Sequence, residues 1–286
     1  MSVNSFIPEI WSAQIFSDYQ NLTVFGGLVN RDYEGEITGQ GDTVRINSVG
    51  PITVNTYTKN STSNLTVQDL TEAQTTLVID KSKYFAFQID DIDMVQTKPK
   101  LMAKAQQSAG RALAEDVDSI IADCYVDAGA SLTSTACGPT AITEIIGRIG
   151  EKMSQNNVPK TGRFMVVPPW FTKNLVQAQI LKWIGMPAAS APAGAAAQGY
   201  VGSALGFDFY ESNMLNETTA SGSTGYQHYV MAFNRDAITF ANQLTKLEAY
   251  RPEGKFADAL KGLNVYGLKV VQPKALVCAM LTDSTV

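Results

Sequence analysis

Histidine is the side chain best suited to carry protons near neutral pH, and this chain of 286 residues holds a single one, His228. Any Ser/His/Asp or Cys/His scheme must therefore run through it. Its neighbours Tyr226, Gln227 and Tyr229 predict an edge strand, so His228 reads as an ordinary strand position. Asp90, Asp91 and Asp93 could converge on a cation. Carboxylates just ahead of a helix also sit favourably against its N-terminal dipole, and that structural reading is preferred. Gly39 and Gly41 lack the third glycine of a dinucleotide loop, and Gly254-Lys255 is followed by Phe256 where a phosphate loop needs Ser or Thr. Asn21, Asn60, Asn64 and Asn216 each open an N-x-Ser/Thr sequon, but Ser and Thr are abundant and chance accounts for them. Cys124, Cys137 and Cys278 are odd in number and outside any CxxC or Cys/His spacing, which excludes a disulfide framework and a zinc site and points to reducing cytosol. The reading assigns no catalytic, cofactor-binding or metal-ligating residue, and no cofactor.

Composition limits the remaining classes. At 45% hydrophobic and 17% charged, the chain can bury one large core or two modest ones. The formal net charge is −5, with Lys and Arg scattered singly among Asp and Glu, so no basic stripe offers a counterion-releasing surface to phosphates. Tight nucleic-acid binding is not expected. Enclosing a genome stays compatible, because packaged DNA can be neutralised by small cations. Met1 to Pro8 lacks the basic and apolar regions of a signal peptide, and no run of about 18 apolar residues follows, so neither that export route nor a membrane span is expected.

The elements that must position these residues follow from periodicity. Trp11, Ile15, Tyr19 and Leu22 predict an amphipathic helix over Pro8 to Leu28, weakened or ended by Gly26-Gly27. From Gly35 the period becomes two: Thr43, Arg45 and Asn47 alternate against Val44, Ile46 and Ser48 after the Gly39 to Asp42 turn. Tyr57 to Asn64 is too polar to join a core and reads as an exposed tip, and β-structure returns over Thr75 to Ile79 and Tyr84 to Ile89. Leu101, Ala105, Ala109, Leu113, Val117, Ile120 and Cys124 then hold one face of a helix to about Asp127, a beam of ~40 Å at ~1.5 Å per residue. Ile142, Ile145, Ile146, Ile149 and Met153 mark another helix, and Phe164 to Val167 a strand stopped by Pro168-Pro169. Ala188 to Ala197, broken by Pro192 and Gly194, reads as a loop. Strands are expected at Phe207 to Glu211, Tyr229 to Phe233, Lys246 to Tyr250, Asn264 to Val271 and Leu276 to Leu281.

Three linked strings, FIPEIWSAQIF, LVNRDYEGEI and GDTVRINSVGPITV, resemble the opening of many tailed-phage major capsid proteins. LVIDKSKYFAFQIDDID before the long helix and GLNVYGLKVVQPKALV near the end are similar to that family too. The resemblance implies the Hong Kong ninety-seven type capsid fold, of α+β class. Its expected parts are an N-terminal arm at 1–34, an E-loop with adjoining P-domain strands at 35–97, a P domain with a spine helix at 98–140, an A domain at 141–245, and closing strands shared by the P and A domains at 246–286. It implies a non-enzymatic shell subunit, present in the virion and assembled in the host bacterial cytoplasm. Hexamers and pentamers would enclose double-stranded DNA without sequence-specific binding, with a portal protein, a separate scaffolding protein and no membrane. An encapsulin-type compartment shell is the alternative within that fold. Some relatives weld neighbours by a Lys to Asn isopeptide bond; Lys59 and Asn264 are the partners the resemblance would offer, and noncovalent locking is the reading preferred. The E-loop is expected to strap onto a neighbouring subunit, with Val44, Ile46, Leu77 and Ile79 facing that neighbour.

Overall fold

The structure, a computed structural model, describes residues 23–33, 41, 43–49, 52–56, 59, 68, 72–90, 100–180, 199–219, 226–254 and 256–283. In chain order they form helix α1 (Phe25–Leu28), strands β1 (Thr43–Val49), β2 (Glu72–Val78) and β3 (Lys81–Asp90), and helix α2 (Lys100–Ala122), prolonged by a 3-10 turn over Asp123–Asp127. Next come β4 (Ala130–Cys137), α3 (Ile142–Gln155), β5 (Arg163–Val167), α4 (Pro169–Gln177), β6 (Tyr200–Ala204), β7 (Phe207–Glu211) and β8 (Glu217–Thr219). The chain closes with β9 (Tyr226–Asn234), β10 (Ile238–Tyr250), β11 (Ala257–Val270) and β12 (Leu276–Asp283). These strands make an antiparallel β1-β2 hairpin, a three-stranded β10-β11-β3 sheet, and a seven-stranded sheet ordered β4-β12-β9-β5-β7-β6 with β8 added on β9. Parallel pairing of β12 with β4 and of β5 with β7 makes the large sheet mixed. The class is α+β.

The two long helices follow from their periodicity. On α2 the three- and four-residue recurrence of Ala109, Leu113, Val117, Ile121 and Cys124 buries one stripe, while Lys104, Arg111 and Glu115 stay exposed. The five apolar positions expected on α3 are all buried, and they join the α2 stripe and the large sheet's Met165, Val166, Phe233 and Leu276 in one core. The proline pair does stop β5, but Pro169 also opens α4, which the sequence reading had not anticipated. Proline suits a first helical turn, where its missing N–H has no intrahelical partner. Strands β10 and β11 start well before the expected Lys246 and Asn264, because each pairs along nearly its whole length with the other. The stretch from Ala188 to Ala197 lies outside the described residues, as does the helix expected before Thr23.

The glycine pair lies inside the short helix α1, and the helix expected to precede it falls outside the described residues. Asp118 of α2 caps α1: its carboxylate accepts N–H bonds from Val24 (2.8 Å), Phe25 (3.0 Å) and Gly26 (3.3 Å). A Cβ on Gly26 would stand 3.1 Å from the Thr23 side chain, so glycine lets the turn close on its cap. The segment is tied down again at Asn30, which bridges to Thr239 on the β10 edge.

The hairpin corrects another expectation. Val44, Ile46, Leu77 and Ile79 do not face a neighbour: they are buried against Ala241 of β10 and Val265 of β11 in the same chain. Gly267 of β11 makes this approach possible, since a Cβ there would lie 2.4 Å from the Val78 carbonyl oxygen. A two-stranded ribbon is marginal alone in water, and its own sheet supplies the surface its root needs. Farther along, Ile52 and Val54 are 69% and 94% exposed.

Candidate functional site

The structure scatters the residues with chemical potential. His228 is not on an edge strand: β9 lies inside the large sheet, and His228 is paired to Leu281 of β12 and Glu217 of β8. Trp170 Nε1 donates to His228 Nδ1 at 3.2 Å, and Nε2 stands 3.6 Å from Glu217 Oε2. A general base needs a free nitrogen lone pair, and the indole occupies that one. Burial pushes the imidazole below its ordinary value, against the pull of Glu217. The unfolded chain thus binds this proton more readily, so His228 favours folding above its unfolded value and loses that contribution as pH falls through the folded one. Acidification from pH 7 to 5 should lower the Tm of the parent more than that of His228→Gln; equal shifts by calorimetry would show that the ring is not held neutral.

Asp90 ends β3 opposite Ala257, whereas Asp91 and Asp93 lie outside the described residues. Among the described residues no group of three or more His, Cys, Asp or Glu could hold a metal ion. Burial pushes the thiols of Cys124, Cys137 and Cys278 up to about 12, which keeps them protonated and unreactive. Asn216 uses its amide nitrogen on Asp123 at 2.7 Å. Lys59 is exposed, but Asn264 is only 2% exposed within β11, so its amide is out of reach of a lysine arriving from another copy.

What the fold does build is surface. One face of the three-stranded sheet is fixed to α2: Asp116 accepts the Tyr266 hydroxyl at 2.6 Å and pairs with Lys83 at 3.2 Å, while Phe85 packs on the main core. Among the described residues, the hairpin covers the opposite face at Ala241, Val265 and Gly267. Beyond it a groove of about 370 Å³ lies open among Tyr84, Ala86, Gly262 and Leu263. Its rim is polar, with Lys261 bound to Glu248 at 2.8 Å and standing 5.0 Å over the Tyr250 ring. Among the described residues, an apolar sheet face left half-covered and the exposed apolar side chains of Ile52 and Val54 are the kind of surface that a partner chain covers. Neither Asp118 nor Gly267 was singled out in the sequence. A signal existed for Asp118, an acid set among Ala114, Val117 and Ile121 on the apolar stripe.

Comparison with known proteins decides the class. The family described as phage capsid protein matches residues 71–279, from the hairpin's second strand into β12. The chain belongs to the phage capsid protein family. A solved chain of Mycobacterium phage Che8 is 31% identical to this capsid protein, with 90% of each chain covered and a TM-score of 0.69. A chain from the capsid of cyanophage P-SCSP1u shares the fold at 19% identity, covering 92% of this chain and 89% of its own, with a TM-score of 0.68. The virus-like particle of Pyrococcus furiosus shares it at 11% identity, 95% and 98% coverage and a TM-score of 0.57. No curated protein matches the chain. Family and fold make this a major capsid protein with the Hong Kong ninety-seven type fold, a structural subunit of an oligomeric shell in the virion.

Proposed function

We propose that this capsid protein closes, as hexamers and pentamers, into an icosahedral shell around the double-stranded DNA of a tailed phage, with no catalysis of its own. The observation that carries this reading is the family match over residues 71–279. In this proposal residues 1–34 serve as the arm, 35–97 as the E-loop with adjoining P-domain strands, 98–140 as the P domain around α2, 141–245 as the A domain and 246–286 as closing strands. Assembly takes place in the host bacterial cytoplasm with a separate scaffolding protein and a portal. In this reading the DNA is confined and not gripped, which the net charge of −5 supports. Electron microscopy of purified particles with an assay of their contents is the test: shells holding a protein cargo and no nucleic acid would replace this reading with a compartment of the encapsulin type.

The E-loop straps copies together through the chain beyond the hairpin root, where Ile52 and Val54 are exposed. Replacing Thr56 to Asp69 by a short Gly/Ser turn leaves the root packed on Ala241 and Val265, so circular dichroism of the subunit should be unchanged while shell yield drops severalfold. Shells of normal yield and heat resistance from the shortened protein would refute the strap.

A further inference from the structure

Two tyrosines far apart in sequence lie face to face where helix α2 ends against the large sheet. Tyr125 belongs to the 3-10 turn that prolongs α2, Tyr229 belongs to β9, and their ring centroids stand 4.1 Å apart with an interplanar angle of 18°. That is closer than the ~4.5 to 7 Å usual for aromatic pairs, so the two π faces touch. Among the described residues Tyr200 and Tyr210 also pair, but they meet edge to face, 5.4 Å apart at 64°. One residue holds the stacked rings from both sides. Asn216 accepts the Tyr229 N–H on its backbone carbonyl at 3.0 Å, and its side-chain amide donates to Asp123, two residues before Tyr125, at 2.7 Å. Both tyrosines are half-buried. They are packed enough to keep one geometry, Tyr125 against the main core, and open enough for a small oxidant to reach.

We propose that Tyr125 and Tyr229 form a site of oxidative phenol coupling, at which a one-electron oxidant joins the end of α2 to β9 as an intrachain dityrosine. Each phenol gives up one electron and its hydroxyl proton. The two phenoxyl radicals then pair their spins in a carbon–carbon bond between ring positions ortho to oxygen, and each ortho hydrogen moves to its own oxygen as the rings regain aromaticity. Two equivalents of oxidant are reduced, two protons pass to water, and the chain loses two hydrogen atoms. Stacking brings the singly occupied π orbitals face to face, which an edge-on pair does not. Thiols are the usual competitors for an oxidant, and their susceptibility follows thiolate character and exposure. Cys124, Cys137 and Cys278 are buried and held protonated, so they compete poorly.

The bond forms within one chain, so its test does not depend on shell assembly. Full-length parent, Tyr125→Phe, Tyr229→Phe and Tyr200→Phe are oxidised in dilute solution with photogenerated tris-bipyridine ruthenium(III). Dityrosine fluorescence, the intact mass of the monomer and peptide mapping are the readouts. Phenylalanine keeps an aromatic ring in the stack and cannot become a phenoxyl radical. The parent and Tyr200→Phe should yield a monomer lighter by two hydrogens, with residues 125 and 229 in one cross-linked peptide. Because held proximity outweighs diffusional encounter by orders of magnitude, phenylalanine at 125 or at 229 should lower the monomer's dityrosine at least about tenfold. A parental monomer without dityrosine, a cross-link mapped to another pair, or parental yield in Tyr125→Phe or Tyr229→Phe would each overturn the proposal.

Discussion

Leu113→Ala should destabilise the unassembled subunit by about 2 to 5 kcal/mol, the range for removing three buried carbons and leaving a hole that relaxes only in part. Leu113 is 6% exposed and belongs to the core that also holds Val117 and Ile121 of α2 and Ile142 to Met153 of α3. Helix α2 is where the small three-stranded sheet meets this core, through Asp116 with Tyr266 and Lys83 on one side and the apolar stripe on the other. A cavity there should therefore loosen both packings. Denaturant unfolding of the free subunit measures it; a midpoint unchanged within error would mean that the stripe carries no load.

Asp118→Ala is expected to have the second largest effect, at least ~2 kcal/mol near pH 5, because the buried Phe25 and Gly26 N–H groups and the half-buried Val24 N–H lose their acceptor and each buried orphan costs about 1 kcal/mol or more. Burial pushes the Asp118 carboxyl up to about 6 from 3.8, against the lowering pull of the Val24, Gly26 and Phe25 N–H groups. With the folded value above the unfolded one, the folded chain holds this proton more tightly, and the residue's contribution to folding rises as pH falls from about 6 to 4. The loss caused by the substitution should thus be smaller at pH 7 than at pH 5. Denaturation of parent and variant at both values tests the sign, and a loss larger at pH 7 would show that the hydrogen bonds outweigh burial. Cleavage between Thr23 and Asn30 by a protease should also accelerate in the variant, since the cap holds this segment on α2.

Local patterns were legible in the sequence wherever one face of one element decides the outcome. The stripes of α2 and α3, the alternation in β1 and the bounds of β7 could all be read from spacing. Strand β4 could not, because Ala130 to Cys137 is mostly small and polar and owes its place to parallel pairing with β12, a partner more than a hundred residues away. His228 was placed on an edge for the same reason: local polarity says nothing about how many strands flank β9. The hairpin error is the most instructive. Alternation shows that Val44 and Ile46 are covered, but the identity of the cover depends on Gly267, whose missing side chain matters only once β11 lies beneath the hairpin. The resemblance to shell proteins carried the function, since none of the candidate chemistry converged on a site.

If the chain beyond the hairpin straps a neighbour as proposed, the landing of its root on Gly267 gives that strap a fixed fulcrum. The chain from 50 to 71 can reach at most ~36 Å from the root at ~3.3 Å per residue, out and back, so a 5° tilt of the supporting sheet would sweep its far end by ~3 Å over that reach. That is about the length of one residue along a strand. In the proposed strap, small changes in the slope of the supporting sheet would be enough to shift its far end by about one residue between curved and flat parts of a shell.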